Sequence, residues 1–211
     1  MKFNQKKIAY ILLLVIVILG ISLRIYDLDR SLWLDEAISV NSQQNFQRHI
    51  SNVYLPMHLY FVILHFFMFF GNSEIIIRSS SVIFGILSII LMYKMGRLLF
   101  DRAREGLVGA FLLAISAMHI EHSQEARYYS LTTFLSLLSF YLLFKAVKEK
   151  KKKLWIGYIL STILAVLSHY YMIFIPLIQI LFLIVMAIKN RNQLLSKARK
   201  IDVRLIFFPS F

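Results

Sequence analysis

Stretches almost free of charge recur along this chain and set its architecture. Ile8–Leu23, Val53–Ser73, Ser79–Tyr93, Gly106–Ile120, Tyr128–Phe144, Leu154–Ser168 and Tyr170–Ile188 would be apolar on every side of a helix, the pattern of helices bathed in lipid or packed among similar helices. A crossing helix takes roughly 17–25 residues, and flanking Lys and Arg extend shorter runs by reaching to the interface. The pattern predicts an all-α polytopic membrane protein. Composition agrees: 59% of the 211 residues are hydrophobic, with 18 Phe and 11 Tyr, outside the range of soluble domains.

Polar punctuation decides which runs cross. The chain carries 24 Lys and Arg against 11 Asp and Glu, a net charge of +13. The basic residues fall in short blocks between apolar runs, which reads as a topology signal and not as a face for nucleic acid. If Val53–Ser73 crosses, the sixteen positive charges of the blocks 94–104, 145–153 and 189–204 fall outside. If it lies in the outer interface, those sixteen join Lys2, Lys6 and Lys7 on the cytoplasmic side. The second arrangement obeys the positive-inside rule. His58, His65 and the aromatic rings of this run also suit headgroups better than hydrocarbon.

The expected architecture has about six crossings, a cytoplasmic N-terminus, and an outer loop over residues 24–78 that carries interfacial helices. Arg24-Ile25-Tyr26-Asp27 stands where a cleavage site would follow a signal peptide, so the first run reads as a retained anchor. No cysteine is present, which excludes disulfides and thiolate metal sites.

Within this frame, the acids gather outside. Asp35 and Glu36 stand shortly after the first run, in the loop that follows it. Adjacent carboxylates near a low-dielectric boundary repel, so one can hold a raised pKa and accept a proton near neutral pH. Equally, acids there can complement the dipole at a helix N-terminus. A second polar cluster runs from His119 to Tyr129, with Arg127 where a helix begins. An arginine there can clamp a phosphate or snorkel to headgroups, and Glu125 could orient it or bind a cation. The spacing of His119 and His122 does not match a helical zinc pair. Arg78, Glu125, Arg127, His169 and Tyr170 share the outer face with Asp35 in this topology.

The ordered set Leu32-Trp33-Leu34-Asp35-Glu36-Ala37, Leu59-Tyr60, Ser73-Glu74 with Arg78, Phe84-Gly85, Gly96-Arg97, Ser123-Gln124-Glu125-Ala126-Arg127-Tyr128 and Ser168-His169-Tyr170 resembles the GT-C membrane glycosyltransferases. Within them it is similar to the protein O-mannosyltransferases and lipid A aminoarabinose transferases. The resemblance implies inverting transfer of a sugar from a polyprenyl-phosphate donor to a hydroxyl of a glycan, lipid or protein acceptor on the outer face. It implies Asp35 as the catalytic base and Glu36 as its support. Arg127 and Arg78 would hold the donor phosphate, and Glu125, His169, Tyr170 and His58 would contact donor or acceptor. A divalent cation is a candidate cofactor, with Glu125 as its candidate ligand.

Residues 1–211 read as one membrane domain, the N-terminal catalytic half of such an enzyme. Leu205–Phe211 opens another apolar stretch that stops after about 10 Å of helix, so truncation is expected. The alternative is a non-catalytic fragment or partner subunit of the same fold. A transporter fits less well, because the ionisable groups cluster at the ends of the runs and not at their midpoints.

Overall fold

The computed structural model describes residues 3–45 and 58–189, and all of their regular structure is helical. The helices are α1 (Phe3–Ile25), α2 (Leu34–Asn41), α3 (His58–Met68), α4 (Glu74–Phe100), α5 (Ala103–Ile115), α6 (Ala117–Ser123), α7 (Tyr129–Glu149) and α8 (Lys152–Ser168). The last, α9, spans Tyr170–Lys189 and opens with a 3-10 turn at Tyr170–Ile173. The chain divides into two compact units, Met1–Met172 and Ile173–Phe211. The first holds α1 to α8, and most of α9 is the described part of the second.

Burial inverts the pattern of a soluble bundle. Large apolar side chains such as Leu14, Ile18, Leu112, Leu160 and Ile163 are exposed, while Ser80, Ser81, Ser88, Ser130, Ser139 and Ser161 are buried together with Ala110, Ala114 and Ala165. In lipid, tails cover the large residues at no cost, and close approach of small residues, with hydroxyl pairs across the seam, holds the helices together. Ser139 and Thr162 make such a pair, 2.7 Å apart between α7 and α8. At the crossing of α4 and α5, a Cβ on Gly96 would lie 2.6 Å from Gly106 Cα, so only glycine lets these backbones touch. The protein is a multi-pass membrane protein.

Among the described residues four helices, α1, α4, α7 and α9, are long and apolar enough to cross a bilayer. The pair α5 and α6, bent by 64°, makes a fifth if taken as one span. The sixth run of the sequence reading is α8, whose 17 residues sit at the short limit of a crossing. Helix α3 has 11 residues, about 16 Å, roughly half the hydrocarbon thickness. Its described residues alone do not reach across, and residues 53–57 of the run lie outside the described residues. Beyond it the chain turns at Gly71, whose φ of 143° is unfavourable for other residues. Residues 46–57, within the loop expected to lie outside, and the tail Leu205–Phe211 lie outside the described residues.

Two buried arginines tie the irregular segments to this frame. The break between α5 and α6 strips carbonyls of their helical partners, and Arg24 replaces them. Its Nη1 donates to Gly20 O at 2.9 Å and to Ala114 O at 3.1 Å, and its Nη2 donates to Leu113 O at 3.3 Å. Its remaining hydrogens go to Ser123 Oγ at 3.2 Å and His119 Nδ1 at 2.6 Å. Gln124 adds bonds to the carbonyls of Leu23 and Tyr26, which fixes the turn after α6 against the end of α1.

Candidate functional site

The site grows from the first turn of α2. Trp33 is the N-cap, and its backbone N–H donates to Glu36 Oε2 at 3.3 Å, the reach-back half of a capping box. Asp35 and Glu36 complement the helix dipole here. Successive residues on a helix diverge by about 100°, so the two carboxylates face different surroundings. Glu36 is fully buried, whereas the Asp35 side chain is 39% exposed.

Glu36 is closed on every side. Arg78 Nε donates to Oε1 at 2.9 Å and Nη2 to Oε2 at 2.7 Å, a two-pronged fork. The Ala126 backbone N–H donates to Oε1 at 2.7 Å. Burial alone raises the Glu36 carboxyl, but the Arg78 hydrogen bonds, the Ala126 amide and the Arg78 charge outweigh it and hold the group below the usual carboxylate range. The two acids are therefore not a repelling pair with Glu36 as the raised member. Its charge is cancelled from below.

Arg78 differs from its expected role for the same reason. Nη1 donates to Leu28 O at 2.8 Å and Arg30 O at 2.6 Å, and Nη2 to Ser31 O at 3.2 Å. With the two bonds to Glu36, all five donors are spent inside the protein, and none is left for a donor phosphate. Arg78 is an anchor for the loop between α1 and α2.

Arg127 is placed otherwise. Its Nη2 lies 3.4 Å from Asp35 Oδ2, and Nη1 donates to Asp35 O and Ser39 Oγ at 3.3 Å each. Its guanidinium sits over the rings of Tyr128 and Tyr129, 5.5 Å and 6.0 Å from their centroids. Nε is buried and has no hydrogen-bond partner among the described residues. A planar cation with an unspent donor beside a half-exposed carboxylate can bind an anion while the carboxylate handles a proton.

The other expected residues gather around this pair. His169 stacks on Tyr128 at 4.2 Å and on Tyr170 at 4.6 Å. Burial, with the Arg127 charge behind it, lowers the imidazole's pKa and favours its neutral form. Glu125 lies 3.5 Å from His122; burial raises its carboxyl, and His122 offsets only part of that. The side chain of His58 lies outside the described residues. Among the described residues no group of three or more His, Asp and Glu converges as a bound cation requires. Among the described residues, Glu125 therefore lacks the ring of donors that the expected cation would need.

Two residues of the site were not singled out by sequence. Arg24 looks like any arginine ending a membrane anchor, and no spacing reveals that it will meet a helix break 90 residues away. Tyr60 is buried in the core under α2, with Phe61, Leu64 and Ala126, and its hydroxyl has no hydrogen-bond partner among the described residues. It feels the charges of Arg127 and Glu36. Its only trace in the sequence was the Leu59-Tyr60 pair.

Against known proteins, the family model described as dolichyl-phosphate-mannose-protein mannosyltransferase matches residues 55–211. No curated protein and no solved structure matches the chain.

Proposed function

Because the chain belongs to the dolichyl-phosphate-mannose-protein mannosyltransferase family, and so to the membrane glycosyltransferases, we propose that it moves a sugar from a polyprenyl-phosphate donor to an acceptor hydroxyl, with inversion, at the outer face of the membrane. The observation that carries this reading is the Asp35–Arg127 contact at 3.4 Å, which sets a base and an anion-binding cation side by side at one end of the bundle.

In this reaction Asp35 takes the proton of the acceptor hydroxyl as its oxygen bonds to the anomeric carbon. The bond from that carbon to the phosphate oxygen breaks on the opposite side, and its electron pair leaves with the lipid phosphate. Arg127 stabilises that developing charge with the donors that Asp35 and Ser39 do not occupy. Glu36 and Arg78 touch neither substrate; they position α2. His169 and Tyr170 extend an aromatic wall next to Tyr128, suited to a sugar face or the first lipid units.

The assay is transfer of labelled mannose from polyprenyl-phosphate mannose to a hydroxyl acceptor by the purified chain, with the product anomer read by NMR. Transfer with inverted configuration is expected, and activity from this chain alone rejects the inert-fragment reading. Arg127→Gln is expected to slow transfer about 10²–10³-fold. Transfer at the parent rate would remove Arg127 from the phosphate. The orientation has its own test in this cysteine-free chain. Glu121→Cys should react with an impermeant maleimide from outside intact cells and Lys150→Cys should not; the reverse pattern would place the site on the other side.

A further inference from the structure

Far from Asp35, where α4 and α7 end, a cavity of about 270 Å³ is lined by Lys94, Arg97, Leu98, Asp101, Tyr141 and Lys148. We propose that it binds the headgroup phosphate of an anionic phospholipid.

Three cations frame the opening and one acid lies among them. Asp101 accepts from Lys148 Nζ at 2.9 Å, which leaves the charges of Lys94 and Arg97 uncancelled. Arg97 is held in place. Its guanidinium lies 5.7 Å from the Tyr93 ring centroid, a cation–π contact. Behind them, Lys145 Nζ reaches Tyr141 Oη at 3.5 Å and is countered by Glu149 at 3.8 Å. The negative ends of α4 and α7 attract such residues, and topology requires them on one side of the membrane. Neither requirement makes them converge on a concavity: Lys150, the C-cap of α7, meets both without lining it.

The surroundings point to a lipid as the source of the phosphate. Leu99 and Phe100, next along α4, are 51% and 61% exposed, so the cations sit at the boundary between hydrocarbon and water. Basic pockets between membrane helices at this depth bind anionic headgroups. The volume is just below the roughly 300–1,000 Å³ of small-molecule sites, as suits a headgroup whose chains stay in the bilayer.

The full chain in detergent would be titrated with phosphatidylglycerol or phosphatidylcholine, with retained lipid read by native mass spectrometry alongside the melting temperature. Phosphatidylglycerol should be retained and should raise the melting temperature, and phosphatidylcholine should do neither. Arg97→Gln with Lys148→Gln should lower retention, roughly fivefold for each charge removed. Lys94→Gln, at an exposed position, should lower it without disturbing the Tyr93 or Asp101 contacts. Lys152→Gln with Lys153→Gln removes equal charge from the same end and should leave retention unchanged. Equal retention by the pocket variants, equal loss in the Lys152 and Lys153 pair, or the same stabilisation from inorganic phosphate alone would each overturn the proposal.

Discussion

Replacing Asp35 with Asn is expected to lower sugar transfer about 10²–10⁴-fold, the usual contribution of a positioned general base, while the protein inserts and melts as before. Asparagine keeps the shape and an oxygen for Arg127, but it cannot take a proton from an acceptor hydroxyl. The folding cost is small because the lost ion pair is long, at 3.4 Å, and its Asp35 side is 39% exposed. Pairs of this kind contribute at most about 1 kcal/mol. Transfer rates with polyprenyl-phosphate mannose, set beside melting curves, separate the two effects. A variant that melts normally and still transfers at the parent rate would exclude Asp35 as the base.

The opposite profile is expected one residue away. Glu36→Ala or Arg78→Ala breaks a fully buried, two-pronged ion pair, and leaving one such charge without its partner costs about 3–5 kcal/mol. Arg78→Lys should not rescue, because one ammonium cannot serve Glu36 and the carbonyls of Leu28, Arg30 and Ser31 together. Replacing both partners by Leu and Met should recover part of the loss, with the three carbonyls and the Ala126 amide still bare. The sign of the pH effect follows from the direction of the shift. The Glu36 carboxyl sits below its ordinary 4.5 in the folded protein, so its contribution is complete above that value and is lost as pH falls through the lower native one. Acid melting curves should therefore lose their pH dependence in this range in Glu36→Gln. Melting unchanged in both alanine variants would show that the pair carries little of the fold.

The sequence made the helices and the meeting place readable, because both follow from local or countable properties. Unbroken apolar runs require helices wherever lipid is the solvent, and the order of the basic blocks brought residues 35, 78, 125, 127 and 169 to one end without any contact being known. What each residue does there was less legible. Arg78 and Arg127 are the same residue type on the same face; only the three-dimensional path of residues 28–31 makes one an anchor and leaves the other a donor. The opposite fates of Asp35 and Glu36 depend on which side of one helical turn meets α4. Arg24 was hidden because its partners are carbonyls, which every residue carries and no sequence pattern marks.

Glu36 grips the amide of Ala126, and each of these residues has as its next neighbour one member of the pair that would do the chemistry: Asp35 on one strand of chain, Arg127 on the other. The gap between base and cation is thus gauged by a bond one peptide unit away, and not by the long segment that joins the first helix to the fourth. What approaches the pair can therefore change while the gauge keeps the working distance inside it.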